Sequence, residues 1–167
     1  MKILKIINSQ LLISYLVLFI VIVFGALTYT GSFMDDAYIT FRFSHNIADG
    51  YWFQWNRGDI PIEGFSNPLW TLIISLFHFV CTTNNIDLVV YYFSLLLFLI
   101  IALHIQYVAT SIFKINPIFS SVIIILMLCS KGIWLSYFNG LETVIQAFLL
   151  YFSYYISPIQ LISATVE

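Results

Sequence analysis

The chain has 167 residues, 61% of them apolar, 19% aromatic and 8% charged, with a net charge of −2. Soluble domains carry about 25% charged residues. A soluble enzyme is therefore excluded and an integral membrane protein is expected. The slightly acidic balance gives no ground for a nucleic-acid partner. Cys81 and Cys129 lie in apolar runs without metal-ligand spacing, which predicts packed, inert thiols.

Taken in order, Leu11 to Tyr29 is an almost unbroken apolar run. At about 1.5 Å per residue, it is long enough to cross a hydrocarbon core of about 30 Å. Lys2 and Lys5 precede it, so the positive-inside rule puts the N-terminus in the cytoplasm. A cleaved signal peptide is the competing reading. The run exceeds the roughly 7–15 residues of such a segment, and no A-x-A site follows.

Residues 30–67 are then expected to form an extracytoplasmic loop. Asp36 is a candidate N-cap and Gly50 a candidate C′ residue of a helix between them. Helical spacing puts Tyr38, Arg42, His45 and Asp49 on one side. The wide apolar arc opposite suits a helix lying on the membrane surface. Asn56-Arg57-Gly58-Asp59 predicts a turn, and residues 60–67, including Glu63 and Asn67, an extended loop.

Leu69–Val80 is apolar but short, a length more typical of interfacial or re-entrant segments than of spans. If it spans, Lys114 faces outward and 131–142 faces the cytoplasm. If it lies in the interface, Lys114 joins Lys2 and Lys5 inside, and Glu142 emerges on the side of Asp35 and Asp36. The second arrangement obeys charge and length better. It predicts four spans near 11–29, 88–112, 117–131 and 142–157, with an interfacial or re-entrant helix at 68–81. Lys131 to Leu141 is expected to be loop, and the last run to stop at Ser157-Pro158. The expected fold is all-α: a polytopic transmembrane helix bundle with an extracytoplasmic juxtamembrane helical loop.

Acidic residues near a membrane are costly and tend to be functional. Asp35, Asp36 and Glu142 are the candidates. Solvated helix starts would serve as a plainer explanation for all three. Arg42 suits bidentate phosphate binding, or a simple pair with Asp49. His45 is expected on a helix surface, with His78 and His104 near the interface or against neighbouring helices. No P-loop, dinucleotide fingerprint or zinc motif occurs.

A wider pattern links these residues. Asp35-Asp36-Ala37-Tyr38-Ile39-Thr40-Phe41-Arg42-Phe43 is followed by Asn46-Ile47-Ala48-Asp49-Gly50 and Asn56-Arg57-Gly58. Ile62-Glu63-Gly64-Phe65-Ser66-Asn67-Pro68-Leu69-Trp70 comes next. The series resembles the first outer loop of GT-C superfamily membrane glycosyltransferases. It is most similar to terminal β-1,2-arabinofuranosyltransferases and their bacterial relatives. Asn139-Gly140-Leu141-Glu142-Thr143 resembles a later segment of that group, so the likeness covers about residues 1–157.

The resemblance implies a transferase at the outer face of a bacterial inner membrane, moving a sugar from a polyprenyl-phosphate donor to an acceptor glycan or lipid. It implies Asp36, Asp35 and Glu142 as catalytic acids, one serving as general base. Arg42, Arg57, Glu63 and Asn67 would bind substrate. A divalent cation, magnesium or manganese, is a possible cofactor at Asp35 and Asp36, since only some of these enzymes use one. Such enzymes have more spans than four. The chain is therefore expected to be a fragment, a truncated frame, or a protein whose partner supplies the remaining C-terminal part. The alternative is a non-catalytic membrane protein, either a remnant or an assembly subunit.

Overall fold

The computed structural model describes residues 2–28, 33–62, 64–81 and 85–164, with side chains between Ser9 and Tyr155. All regular elements among the described residues are helical. They are α1 (Lys2–Thr28), α2 (Asp35–Ala48), α3 (Pro68–Val80), α4 (Ile86–Tyr107), a π turn (Val108–Ile112), α5 (Pro117–Leu128), α6 (Lys131–Tyr137) and α7 (Thr143–Ala164).

Among the described residues, two helices are long and apolar enough to cross a membrane. These are Ser9–Thr28 within α1 and Ile86–Ile112, which is α4 with its π turn. The apolar run from Pro117 does not continue straight, contrary to the expected 117–131 span. It breaks after Leu128, and α6 leaves at 74° to α5. Taken as one broken span, the pair would be a third crossing. The Trp134 indole donates to the Leu128 carbonyl at 2.7 Å, satisfying one of the last carbonyls of α5 and holding the bend. So part of the segment expected as loop, 131–137, is helix. The final helix also continues past Ser157-Pro158, to Ala164.

Close approaches fix the bundle. Trp134 lies against Gly25 of α1, where a Cβ would fall 2.3 Å from the indole ring. The Tyr91 hydroxyl of α4 donates to the Ala26 carbonyl of α1 at 2.6 Å. Buried Gln106 of α4 ties three helices through one amide. Its Nε2 donates to the Ser14 and Ser121 hydroxyls at 3.0 and 3.1 Å, and its Oε1 accepts from Ser120 at 2.9 Å. Without a hydrophobic drive between helices in lipid, such bonds and small-residue contacts hold spans together. Around them packs one core that includes Leu18, Ile22, Trp70, Leu97, Phe98 and Phe138. Cys81 is half-buried and Cys129 exposed, so neither is a core thiol.

Helix α2 differs from its expected form in two ways. It opens at Asp35, after Met34 as N-cap, and no side chain caps it. Asp36 is therefore inside the first turn, where a carboxylate acts on the helix dipole rather than on the cap. Its broad buried face, which includes the polar Thr40, Ser44 and Asn46, packs on α3 instead of lying bare along a membrane. The C-terminus follows expectation: Gly50 has φ +86°, and Gly50 and Tyr51 N–H groups donate to the Ile47 and Asn46 carbonyls at 3.0 and 2.8 Å. This double bond pattern is the Schellman closure, for which a left-handed glycine is favoured.

Candidate functional site

The start of α2, the start of α3 and the turn before α7 meet at one place. The Met34 N–H donates to the Asn139 carbonyl at 3.0 Å. The Trp70 indole donates to the Gly140 carbonyl at 3.0 Å. Gly140 has φ +83°, and a Cβ there would come within 2.5 Å of the Phe33 ring and 2.8 Å of Ala37 Cβ. A glycine is needed on both counts. Asn139 completes the turn by accepting the Leu141 N–H on Oδ1 at 3.0 Å. These contacts bring the 33–40 and 139–142 segments to the same level of the molecule.

Between them lies an open cleft of about 670 Å³. Its walls include Asp36, Thr40, Phe65, Ser66, Asn67 and Glu142. Asn67, nearly buried ahead of α3, is the centre of the polar network. Its Nδ2 donates to Glu142 Oε2 at 2.7 Å. Its Oδ1 faces two hydroxyl donors, Thr71 at 3.2 Å and Thr40 at 3.4 Å. Two donors at the oxygen leave the amide one sensible orientation, with its N–H groups toward Glu142. The other Glu142 oxygen accepts from Gln146 Nε2 at 3.4 Å.

The expected site residues divide into two sets. Asp36, Asn67 and Glu142 line this cleft, while Asp35 does not. Neighbouring positions on a helix point about 100° apart, which separates the two aspartates. The arginines belong to a different cluster at the far end of α2. Arg42 donates to the Trp55 carbonyl at 3.0 Å and to Asn56 Oδ1 at 2.6 Å, with its guanidinium 4.2 Å from the Trp55 ring centroid. It does not pair with Asp49; Arg57 does. Arg57 also stands 5.2 Å from the Tyr51 ring centroid. Asn56 Nδ2 donates to Asp59 at 2.8 Å and closes the expected 56–59 turn. Glu63 lies outside the described residues.

Among the described residues, no three His, Cys, Asp or Glu side chains come together as a metal-binding group. Of the two expected metal ligands, Asp36 lines the cleft and Asp35 does not.

Asn67 was expected as a substrate ligand, and its bond to Glu142 was not foreseen. The Asn-Pro start of an apolar helix was its only visible signal. Two histidines also meet unexpectedly. His45 of α2 and His78 of α3 have ring centroids 5.1 Å apart, and buried His78 Nε2 has no hydrogen-bond partner. Burial first, then His45, holds the His78 imidazole below the usual histidine value. His104 packs among Tyr151, Phe152 and Tyr155 of α7, its Nδ1 3.0 Å from the Tyr151 hydroxyl.

No protein-family model, curated protein or solved structure matches this chain.

Proposed function

We propose that this chain carries the acid-lined outer cleft of a multi-pass membrane glycosyltransferase of the GT-C kind. It would sit in the bacterial inner membrane with its N-terminus in the cytoplasm, and move a sugar from a polyprenyl-phosphate donor to an acceptor glycan or lipid. One observation supports this best: Asp36 and Glu142, distant in sequence, line a single cleft, and a locked amide holds Glu142. Acids serving only as solvated helix starts have no need to share a cleft.

The chemistry follows from the residue types. An acceptor hydroxyl attacks the anomeric carbon as the bond from that carbon to the phosphate oxygen breaks. The hydroxyl proton passes to a carboxylate, and polyprenyl phosphate leaves with the bonding electrons. Asp36 is the better base, because it is exposed at the cleft wall and its carboxylate makes no bond or ion pair among the described residues, whereas Glu142 is held by Asn67. Glu142 then orients the acceptor. General-base loss costs about 100- to 10,000-fold in rate.

Release of polyprenyl phosphate from a labelled donor tests this, using membranes carrying the full chain. Asp36→Asn is expected to abolish release, and Glu142→Gln to impair it, with insertion unchanged. Near-normal turnover by both variants would remove the carboxylates from the mechanism. A second reading, a non-catalytic membrane protein, draws on the same contacts. The Asn67–Glu142, Trp70–Gly140 and Met34–Asn139 bonds also serve simply to clamp two loops together. Absence of release by the unaltered chain would favour that reading.

A further inference from the structure

We propose that the cleft between α2, α3 and the turn before α7 takes an uncharged, polyhydroxylated ring, and that Asp36 and Glu142 exclude anionic sugars from it. This rests on the glycosyltransferase reading and specifies the acceptor. Among the described residues, the charged side chains lining the cleft are both carboxylates, and no lysine, arginine or histidine lines it. The two arginines expected to bind substrate are engaged elsewhere, Arg42 on Trp55 and Asn56 and Arg57 on Asp49. An anion entering the cleft meets two like charges and no compensating cation.

A neutral sugar meets the complementary set. Carboxylates only accept hydrogen bonds, and hydroxyls both donate and accept. Asp36 and Glu142 supply acceptors. Asn67 uses one Nδ2 hydrogen on Glu142, and its second amide hydrogen has no partner among the described residues. The Ser66 hydroxyl adds a group of either sense, and Phe65 gives an apolar face for ring C–H groups. At about 670 Å³ the cleft falls within the size of small-molecule sites, roughly 300–1,000 Å³. The phosphate of a lipid-linked donor is consequently held outside this cleft, with only the reacting sugar reaching it.

Saturation-transfer NMR on the full chain in nanodiscs tests the proposal. The probes are methyl glycosides of glucose, galactose, mannose and arabinofuranose, beside the uronates of the three hexoses. Neutral glycosides should give transfer signals, and each uronate at least about tenfold less, because like-charge contacts oppose its binding. The uronate signal should rise with ionic strength in the unaltered chain, as screening weakens the exclusion. It should also appear in the Asp36→Asn, Glu142→Gln double variant. Equal signals from neutral and anionic sugars, or none from any neutral glycoside, would overturn the proposal. Sugar discrimination without polyprenyl-phosphate release would leave it standing and remove the transferase reading. Release with equal uronate binding would do the opposite.

Discussion

The network around Asn67 makes a sharp demand on pH. Asn67→Asp keeps the side-chain shape but replaces the amide donor, 2.7 Å from Glu142, with a second carboxylate. Two charges 4 Å apart repel by about 4 kcal/mol at an effective dielectric of about 20, and these would be closer. The pair can avoid this by holding one proton. Keeping a carboxyl with an ordinary value near 3.9 protonated at pH 7 costs about 4 kcal/mol. The cheaper route sets the loss. Because Glu142 is only half-buried, solvent screening brings the expected loss to about 2–4 kcal/mol at pH 7.5. The folded variant binds a proton that the unfolded chain releases, so its stability rises as pH falls, by up to about 1.4 kcal/mol per unit. Near pH 4 the shared proton replaces the amide donor and the deficit should nearly vanish. The assay is thermal unfolding in detergent micelles, followed by tryptophan fluorescence at pH 4.5 and 7.5, variant against unaltered chain. A deficit equal at both pH values, or none at 7.5, would refute the Asn67–Glu142 contact.

Other outcomes follow from single residues. Gly140→Ala meets both a positive φ and the Phe33 and Ala37 atoms, whereas Gly50→Ala meets a positive φ in open space. The same unfolding assay should show about 1 kcal/mol lost at Gly50 and clearly more at Gly140. Gln106→Leu should cost only about 1 kcal/mol, by the same readout, because interhelical bonds in bilayers are modest. Ser14 and Ser121 also keep bonds to the Leu11 and Pro117 carbonyls. His78 resists protonation in the folded state, so the unfolded chain takes up the proton more readily. Stability should therefore fall as pH drops through about 6.5, and His78→Leu should flatten that dependence in a pH series of melting temperatures. Cysteines placed at exposed Ser66 and Ser136 should both react with an impermeant thiol reagent on intact cells. Labelling of one alone would break the arrangement in which the α2–α3 loop and the segment before α7 share a side.

Local signals were readable where a single short stretch decides the structure. The apolar runs that became α1 and α4, the Gly50 closure and the 56–59 turn are of this kind. The bend between α5 and α6 was not, because its cause is packing. The Trp134 indole turns back on the Leu128 carbonyl while its ring fills the space at Gly25, and hydropathy registers neither contact. Asp36 is not the cap for a related reason. The Met34 N–H bonds to Asn139, and the helix cap falls two residues earlier than the side-chain chemistry suggests.

The candidate site shows the same division at longer range. Asp36, Asn67 and Glu142 each stand out in the sequence as candidate polar residues, but nothing in the sequence shows that they meet at one cleft. Asn67 is expected to touch substrate, and the structure adds that Thr40 and Thr71 flank the amide that holds Glu142. Arg42 and Arg57 are expected as phosphate ligands because a guanidinium fork can hydrogen-bond a phosphate bidentately. Here the aromatic rings are the partners: Arg42 lies over Trp55, and Arg57 pairs with Asp49 beside Tyr51. Asp35 and Asp36 fall in the first turn of α2, whereas Asp49, at its C-terminal end, is paired with Arg57. A helix start favours carboxylates on its own account. The consequence for chemistry is that Asp36 at the start of α2 lines the cleft, while at its far end Arg42 and Arg57 stand beside Asp49 and Asp59. The Asp36→Asn, Glu142→Gln variant would change charge at the cleft alone.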